Sequence, residues 1–249
     1  MELVKTKDEI EKITKSCSIL AEVKQVLWDF IRPGVSLKEI DQLAFEEIKK
    51  RNAKPAFLGL YGFPATACIS VNEQLIHGIP SDYIVKEGDL VKVDLGCNWQ
   101  GYNSDSAFTK GVGKINLEDQ RLIDVAKKAF EVGLAAIKPN ARVGDISFAI
   151  GQYIKKNNLY TPHGYCGHGI GKSVHEDPNV PNFSKKPGIG PLLRDGMVIC
   201  IEPMITKSKT VKTLSDKWTV VSTDNTNTAH YEHTVLIKDG KGIVLTKGI

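Results

Sequence analysis

The chain echoes itself once at long range. Residues 31–52 (Ile31-Arg-Pro-Gly-Val-Ser-Leu-Lys-Glu-Ile onward) resemble residues 137–158 (Ile137-Lys-Pro-Asn-Ala-Arg-Val-Gly-Asp-Ile onward) at an offset of 106. Ile31/Ile137, Pro33/Pro139, Ile40/Ile146, Ile48/Ile154 and Asn52/Asn158 are identical pairs. A second echo, at offset 108, sets Gly88-Asp-Leu-Val-Lys-Val-Asp94 beside Gly196-Met-Val-Ile-Cys-Ile-Glu202. Each is a glycine, a β-prone run and a carboxylate. Two long copies cannot stack as a solenoid, which needs many short ones. They can pair about a pseudo-twofold axis and share one sheet. The expectation is one domain over 1–249, built of related halves at about 1–112 and 113–249. Asp94 and Glu202 then fall at related places near the axis.

Local signals say how each half begins. Thr6-Lys-Asp-Glu9 and Ser36-Leu-Lys-Glu39 read as capping boxes, a hydroxyl with a glutamate three residues on. Ile10, Ile13, Cys17 and Leu20 recur at helical spacing, and Pro33 and Pro139 end the first helix of each half. Strand-like runs follow at 66–71, 90–96, 102–110, 197–202, 217–222 and 229–237. The stretches 187–191 and 62–64, rich in glycine and proline, read as loops. Helices grouped before strands predict an α+β fold, with helices on one face of a central, largely antiparallel sheet.

Composition narrows the setting. The cysteines Cys17, Cys68, Cys97, Cys166 and Cys200 are odd in number and scattered, without a CxxC pair. That argues for free thiols in a reducing compartment, against a disulfide framework and against a thiolate zinc site. The charged start is no signal peptide, and no apolar run approaches the roughly 18 residues of a membrane span. A net charge of +4 is too mild to indicate specific nucleic-acid readout. The chain reads as cytoplasmic.

The acidic residues carry the chemistry. A turn over Asn98-Trp-Gln-Gly101 would pair Cys97 with Tyr102 and set Asp94 directly opposite Asp105. Opposed like charges are destabilising, so one is protonated, or a cation lies between them, or both point to solvent. Glu202 matches Asp94 through the repeat. Glu232 lies in an alternating strand, where charged residues are seldom buried unpaired. His168 lies among glycines that let the backbone approach a site. Four carboxylates and one imidazole suit hard or borderline divalent ions. That much negative charge fits two ions about 3.5–4 Å apart better than one. Gly171-Lys172-Ser173 lacks the earlier glycine of a phosphate loop, and neither HExxH nor GxSxG occurs.

The pattern as a whole resembles the type I methionine aminopeptidases over nearly the full chain. The resemblance is carried by Cys68-Ile-Ser-Val-Asn-Glu73, His77-Gly-Ile-Pro80, Val93-Asp-Leu-Gly96, Asn103-Ser-Asp105, Gly167-His-Gly-Ile-Gly171, His175-Glu-Asp-Pro178, Ile201-Glu-Pro-Met204 and Glu232-His-Thr234. Without a long insertion between His168 and Glu202, or an N-terminal zinc-finger extension, it is similar to the short bacterial form. It implies the pita-bread fold and two divalent metal ions (Co, Mn, Fe or Zn) held by Asp94, Asp105, His168, Glu202 and Glu232. Asp105 and Glu232 would bridge both ions, Asp94 would complete one site, and His168 with Glu202 the other. It also implies hydrolytic removal of the initiator methionine from nascent chains, chiefly before small residues. In that chemistry Glu202 moves the proton of the attacking water, His175 joins the metals in stabilising the oxyanion, and His77 contacts the substrate near the scissile nitrogen. The free α-amine binds beside Asp94. A methionine pocket is implied at Phe57, Leu60, Phe63, Cys68, Val174 and Trp218. Here the chain departs from the pattern. Many relatives carry tyrosine at the positions of Leu60 and Phe63 and phenylalanine at that of Val174, so ring contacts and hydroxyls are lost.

The same resemblance implies a monomer with transient ribosome contact. His233 would orient a ligand from behind, and His163 and His230 are read as structural or exposed. Because the chain begins Met1-Glu2, it is expected to keep its own methionine. Two alternatives stand beside this reading. One is a proline-specific aminopeptidase or dipeptidase on the same fold, and the other is a non-catalytic pita-bread protein that docks on RNA or a ribosome.

Overall fold

Both capping boxes form. Thr6 Oγ1 accepts from the Glu9 amide while Glu9 accepts from the Thr6 amide, which opens α1 (Lys7–Phe30). Ser36 and Glu39 repeat the exchange to open α2 (Leu37–Lys50). The computed structural model describes residues 3–248; Met1, Glu2 and Ile249, and with them the Met1-Glu2 dipeptide, lie outside the described residues. The chain continues through β1 (Lys54–Pro55), β2 (Ala67–Val71), β3 (Gln74–Ile76), β4 (Leu90–Trp99) and β5 (Tyr102–Gly111). Helices α3 (Leu117–Ala135) and α4 (Val143–Lys156) follow. The remaining strands are β6 (Cys166–Gly169), β7 (Glu176–Pro181), β8 (Val198–Ile201), β9 (Met204–Ile205), β10 (Val211–Thr213), β11 (Val220–Ser222), β12 (Ala229–His230), β13 (His233–Lys238) and β14 (Lys241–Val244). Pro33 and Pro139 fall just beyond the ends of α1 and α3. Helices α2 and α4 have the same length, 14 residues.

The register of the β4–β5 hairpin differs from the expectation. Trp99 pairs with Tyr102, so Asp94 lies opposite Ala107 and Asp105 opposite Gly96. The tip is a two-residue turn, because Gln100 and Gly101 both take positive φ (49° and 86°), as a twisted hairpin favours. A slip of two residues keeps every side chain on its face. The aspartates are therefore diagonal neighbours on one face rather than directly opposed. The run expected at 229–237 is also broken, since β12 stops at His230 and β13 resumes at His233, leaving Glu232 in the gap. The run expected at 217–222 begins only at Val220; Lys217 turns at φ 67° and Asp216 caps the amides of Trp218 and Thr219.

Two antiparallel sheets meet along β5. One runs β5–β4–β2, with β1 beside the far end of β4. The other runs β14–β13–β8–β6–β7, and β10–β11–β3 and β12–β9 form small outer sheets. Across the seam the Glu232 amide donates to Ala107 O (3.0 Å), the Ala107 amide to Glu232 O (3.3 Å), and Thr234 Oγ1 to Asp105 O (2.8 Å). Helix α1 lies on β4 and β5, α2 on β1 and β2, α3 on β5 and β8, and α4 on β7. One apolar core joins α1 and α2 to the first sheet, and a second joins α3 and α4 to the other. The helices thus cover one side, and the opposite side of the seam is left for the site. No helix among the described residues is long and apolar enough to cross a membrane. All five cysteines are free thiols.

Candidate metal centre

Each acidic side chain reaches the centre from a different place in the sheets. Asp94 comes from β4, Asp105 from β5, Glu202 from the residue after β8, and Glu232 from the break between β12 and β13. All are buried except for Asp94, which is partly exposed. His168, on β6, sets Nε2 3.8 Å from Asp105 Oδ2 and 3.7 Å from Glu202 Oε1. Its Nδ1 lies 2.9 Å from the Gly169 carbonyl, a contact that leaves Nε2 turned toward the carboxylates. The glycines around it are required by backbone contact. A Cβ on Gly167 would stand 2.2 Å from Cys200 O, and one on Gly169 2.1 Å from Asp177 O.

Burial and mutual repulsion make this cluster untenable as four bare carboxylates. Asp105, Glu202 and Glu232 are pushed well above the usual carboxylate range, first by burial and then by neighbouring acidic groups. Burial raises Asp94 too, against the opposing pull of His230. Among the described residues Asp94 Oδ1, Asp105 Oδ1, Glu232 Oε1 and both His230 ring nitrogens are buried without a hydrogen-bond partner. Such orphaned acceptors around one space are what bound cations would satisfy. The imidazoles are neutral: burial, then His175, holds His168 down at about 4, so its lone pair is free to ligate. The donor set fits divalent metal.

The same space opens into a cavity of about 320 Å³ lined by Asp94, Asp105, His168, Glu202 and Glu232 on one wall. Phe57, Leu60, Phe63, Cys68 and Trp218 make the apolar side, with Trp218 edge-on to Phe63 at 5.2 Å. Val174 does not line the cavity but packs behind it in the cluster of Phe57, Phe63 and Cys68. His77 and His175 stand at the rim; His175 meets the His168 ring edge-on at 4.4 Å. Burial holds His77 down at about 4 and also lowers His175.

Three features went unread in the sequence. His230 is buried rather than exposed, with Nε2 3.7 Å from Glu202 Oε2, so it borders the centre. Cys200 also joins it: its sulfur and one ligand atom each of Asp105, His168 and Glu232 all lie within 4.8 Å of one another. The centre is therefore not free of sulfur, although burial and the nearby carboxylates push that thiol well above its ordinary range. Period-two spacing was the available signal, because Cys200 precedes Glu202, and His230 precedes Glu232, by two. Tyr61, at φ 52°, stacks on His175 at 5.7 Å and joins the cavity mouth. Among the described residues His233 hydrogen-bonds to no ligand side chain; Nδ1 meets Thr246 Oγ1 and Nε2 meets Tyr231 Oη, each at 2.9 Å. His163 is exposed, edge-on to Phe183.

A carboxylate and imidazole centre on the seam of two antiparallel sheets, beside an apolar cavity, defines a metal-dependent hydrolase of the pita-bread class. The chain belongs to metallopeptidase family M24, whose sequence pattern matches residues 11–239. It is 46% identical over 247 residues to a methionine aminopeptidase of Clostridium perfringens, covering 99% of each chain. The crystal structure of a methionine aminopeptidase from Thermotoga maritima superposes with a TM-score of 0.96 at 38% identity, over 99% of this chain and 100% of that one. A prolidase from Pyrococcus furiosus is more distant, with a TM-score of 0.79 at 28% identity, and this chain covers 66% of it.

Proposed function

We propose that this protein is a methionine aminopeptidase, removing the initiator methionine from nascent polypeptides when the second residue is small. The observation that carries the reading is the junction of an apolar-walled cavity with a crowded carboxylate centre in a chain so similar to methionine aminopeptidases. Asp94, Asp105, His168, Glu202 and Glu232 would hold two divalent ions. A bound divalent pair supplies Lewis acidity toward a carbonyl oxygen and lowers the pKa of water.

The protein's own residues do the rest. Phe57, Phe63, Cys68 and Trp218 take the methionine side chain out of water, with Leu60 at the edge and Val174 behind. The substrate amine lies beside Asp94, which fixes cleavage at the first peptide bond. Glu202 takes a proton from the attacking water and returns it to the leaving amine. His175 donates toward the developing oxyanion, and His77 contacts the substrate near the scissile nitrogen. The two related halves act as one catalytic unit, a cytoplasmic monomer that meets its substrate at the ribosome. The likeness to prolidase is weaker in both identity and coverage. Kinetics on Met-Ala-X and Met-Glu-X peptides with added divalent metal test the proposal. Methionine release from the first and little from the second is expected; release from neither, or cleavage confined to X-Pro substrates, overturns it.

A further inference from the structure

Helix α1 turns an apolar stripe onto β4 and β5, and within that stripe it carries a lysine. Ile13, Cys17, Leu20 and Leu27 are fully buried, and Lys24 is equally inaccessible at 0% exposed. Its ammonium makes one hydrogen bond among the described residues, to Ser106 Oγ at 2.8 Å. Ser106 Oγ donates in turn to the Glu232 carbonyl at 2.6 Å, and Ser106 is the chain neighbour of Asp105. Lys92, also buried, is held differently: its ammonium donates to the carbonyls of Asn72 (2.7 Å) and Thr228 (3.4 Å). Lys24 has no such carbonyl partner among the described residues.

A buried ammonium with a single hydrogen bond is strongly unfavourable unless opposite charge lies nearby. Burial pushes Lys24 down to about 7, and the charge of Glu232 acts against that fall. Glu232 is thus the carboxylate whose charge reaches Lys24 across β5, and Ser106 bonds both the ammonium and the Glu232 backbone carbonyl. We propose that Lys24 is a built-in counter-cation of the metal centre, a positioning residue that offsets the carboxylates before metal arrives and limits how tightly divalent ions are held. The proposal rests on the reading of this cluster as a metal site. An incoming ion is opposed either way: the ammonium repels it, or must first lose its proton. Both work against binding, so removing the amine strengthens it.

The test is isothermal titration of metal-free protein with Mn²⁺, comparing the wild type with K24M, K24Q and K24R. K24M fits the apolar stripe, K24Q is a second neutral replacement, and K24R keeps the charge. K24M and K24Q should bind Mn²⁺ about fivefold or more tightly than the wild type, since a unit charge is weakly screened in a protein interior. K24R should match the wild type. A packing role alone would leave affinity unchanged or weaken it. Neutral variants that bind no more tightly, or a K24R that tightens as they do, overturn the proposal. A wild type that binds no divalent ion fails the metal-site reading itself.

Discussion

The two sheets contribute equal acidity to the seam but balance it differently. The first gives Asp94 and Asp105, and buried lysines accompany it: Lys24 of α1 reaches Ser106, and Lys92 of β4 reaches the Asn72 carbonyl. The second gives Glu202 and Glu232 and surrounds them with imidazoles, His168 and His230. A buried ammonium is a counter-charge, whereas a neutral imidazole is a ligand or a hydrogen-bond partner. The difference teaches that similar frameworks have divided the work. The first side supplies much of the apolar cavity wall, while on the proposed function the second holds the groups that move protons.

The sharpest way to break this division is Glu202→Ala. If the second side carries proton transfer, kcat on a Met-Ala-X peptide at saturating metal should fall on the order of 10³-fold or more, since ligand and base vanish together. Near-normal turnover would erase the distinction. His230→Ala should have a smaller effect, about tenfold weaker divalent affinity by titration, because that ring packs against Glu202 with Nε2 3.7 Å from Oε2. An unchanged affinity would return His230 to the scaffold.

The smallest effect compares matching helices. Ser36 caps α2 through its hydroxyl, whereas Arg142, at the same place before α4, has no side-chain oxygen with which to cap a backbone amide. Ser36→Ala should lower unfolding stability by about 1 kcal/mol, as loss of an N-cap does. Arg142→Ala should lower it by less, because only its bond to Gly190 O is lost. Urea unfolding of the metal-loaded protein checks the order, and equal losses would show that the caps do not distinguish the helices.

Much of this architecture was legible because it rests on local rules. Both capping boxes and the long-range repeat are written in short, strongly patterned segments, and the acidic residues stand out wherever strands are otherwise apolar. The hairpin register was not legible, because it depends on positive φ at Gln100, a residue type that gives no turn signal. The break at Tyr231-Glu232 was hidden for a similar reason: its cause is pairing with Ala107 on a strand far away in the chain. Lys24 and Cys200 were missed because a helical stripe and a buried strand predict apolar neighbours, and only the folded seam shows what lies across from them.

Chelation followed by metal return probes the shared-cation account most directly. Stripped protein should release no methionine from Met-Ala-X, and added divalent metal should restore release as both sides of the seam regain their ligand. Hydrolysis that continues at full rate in the stripped protein would contradict it.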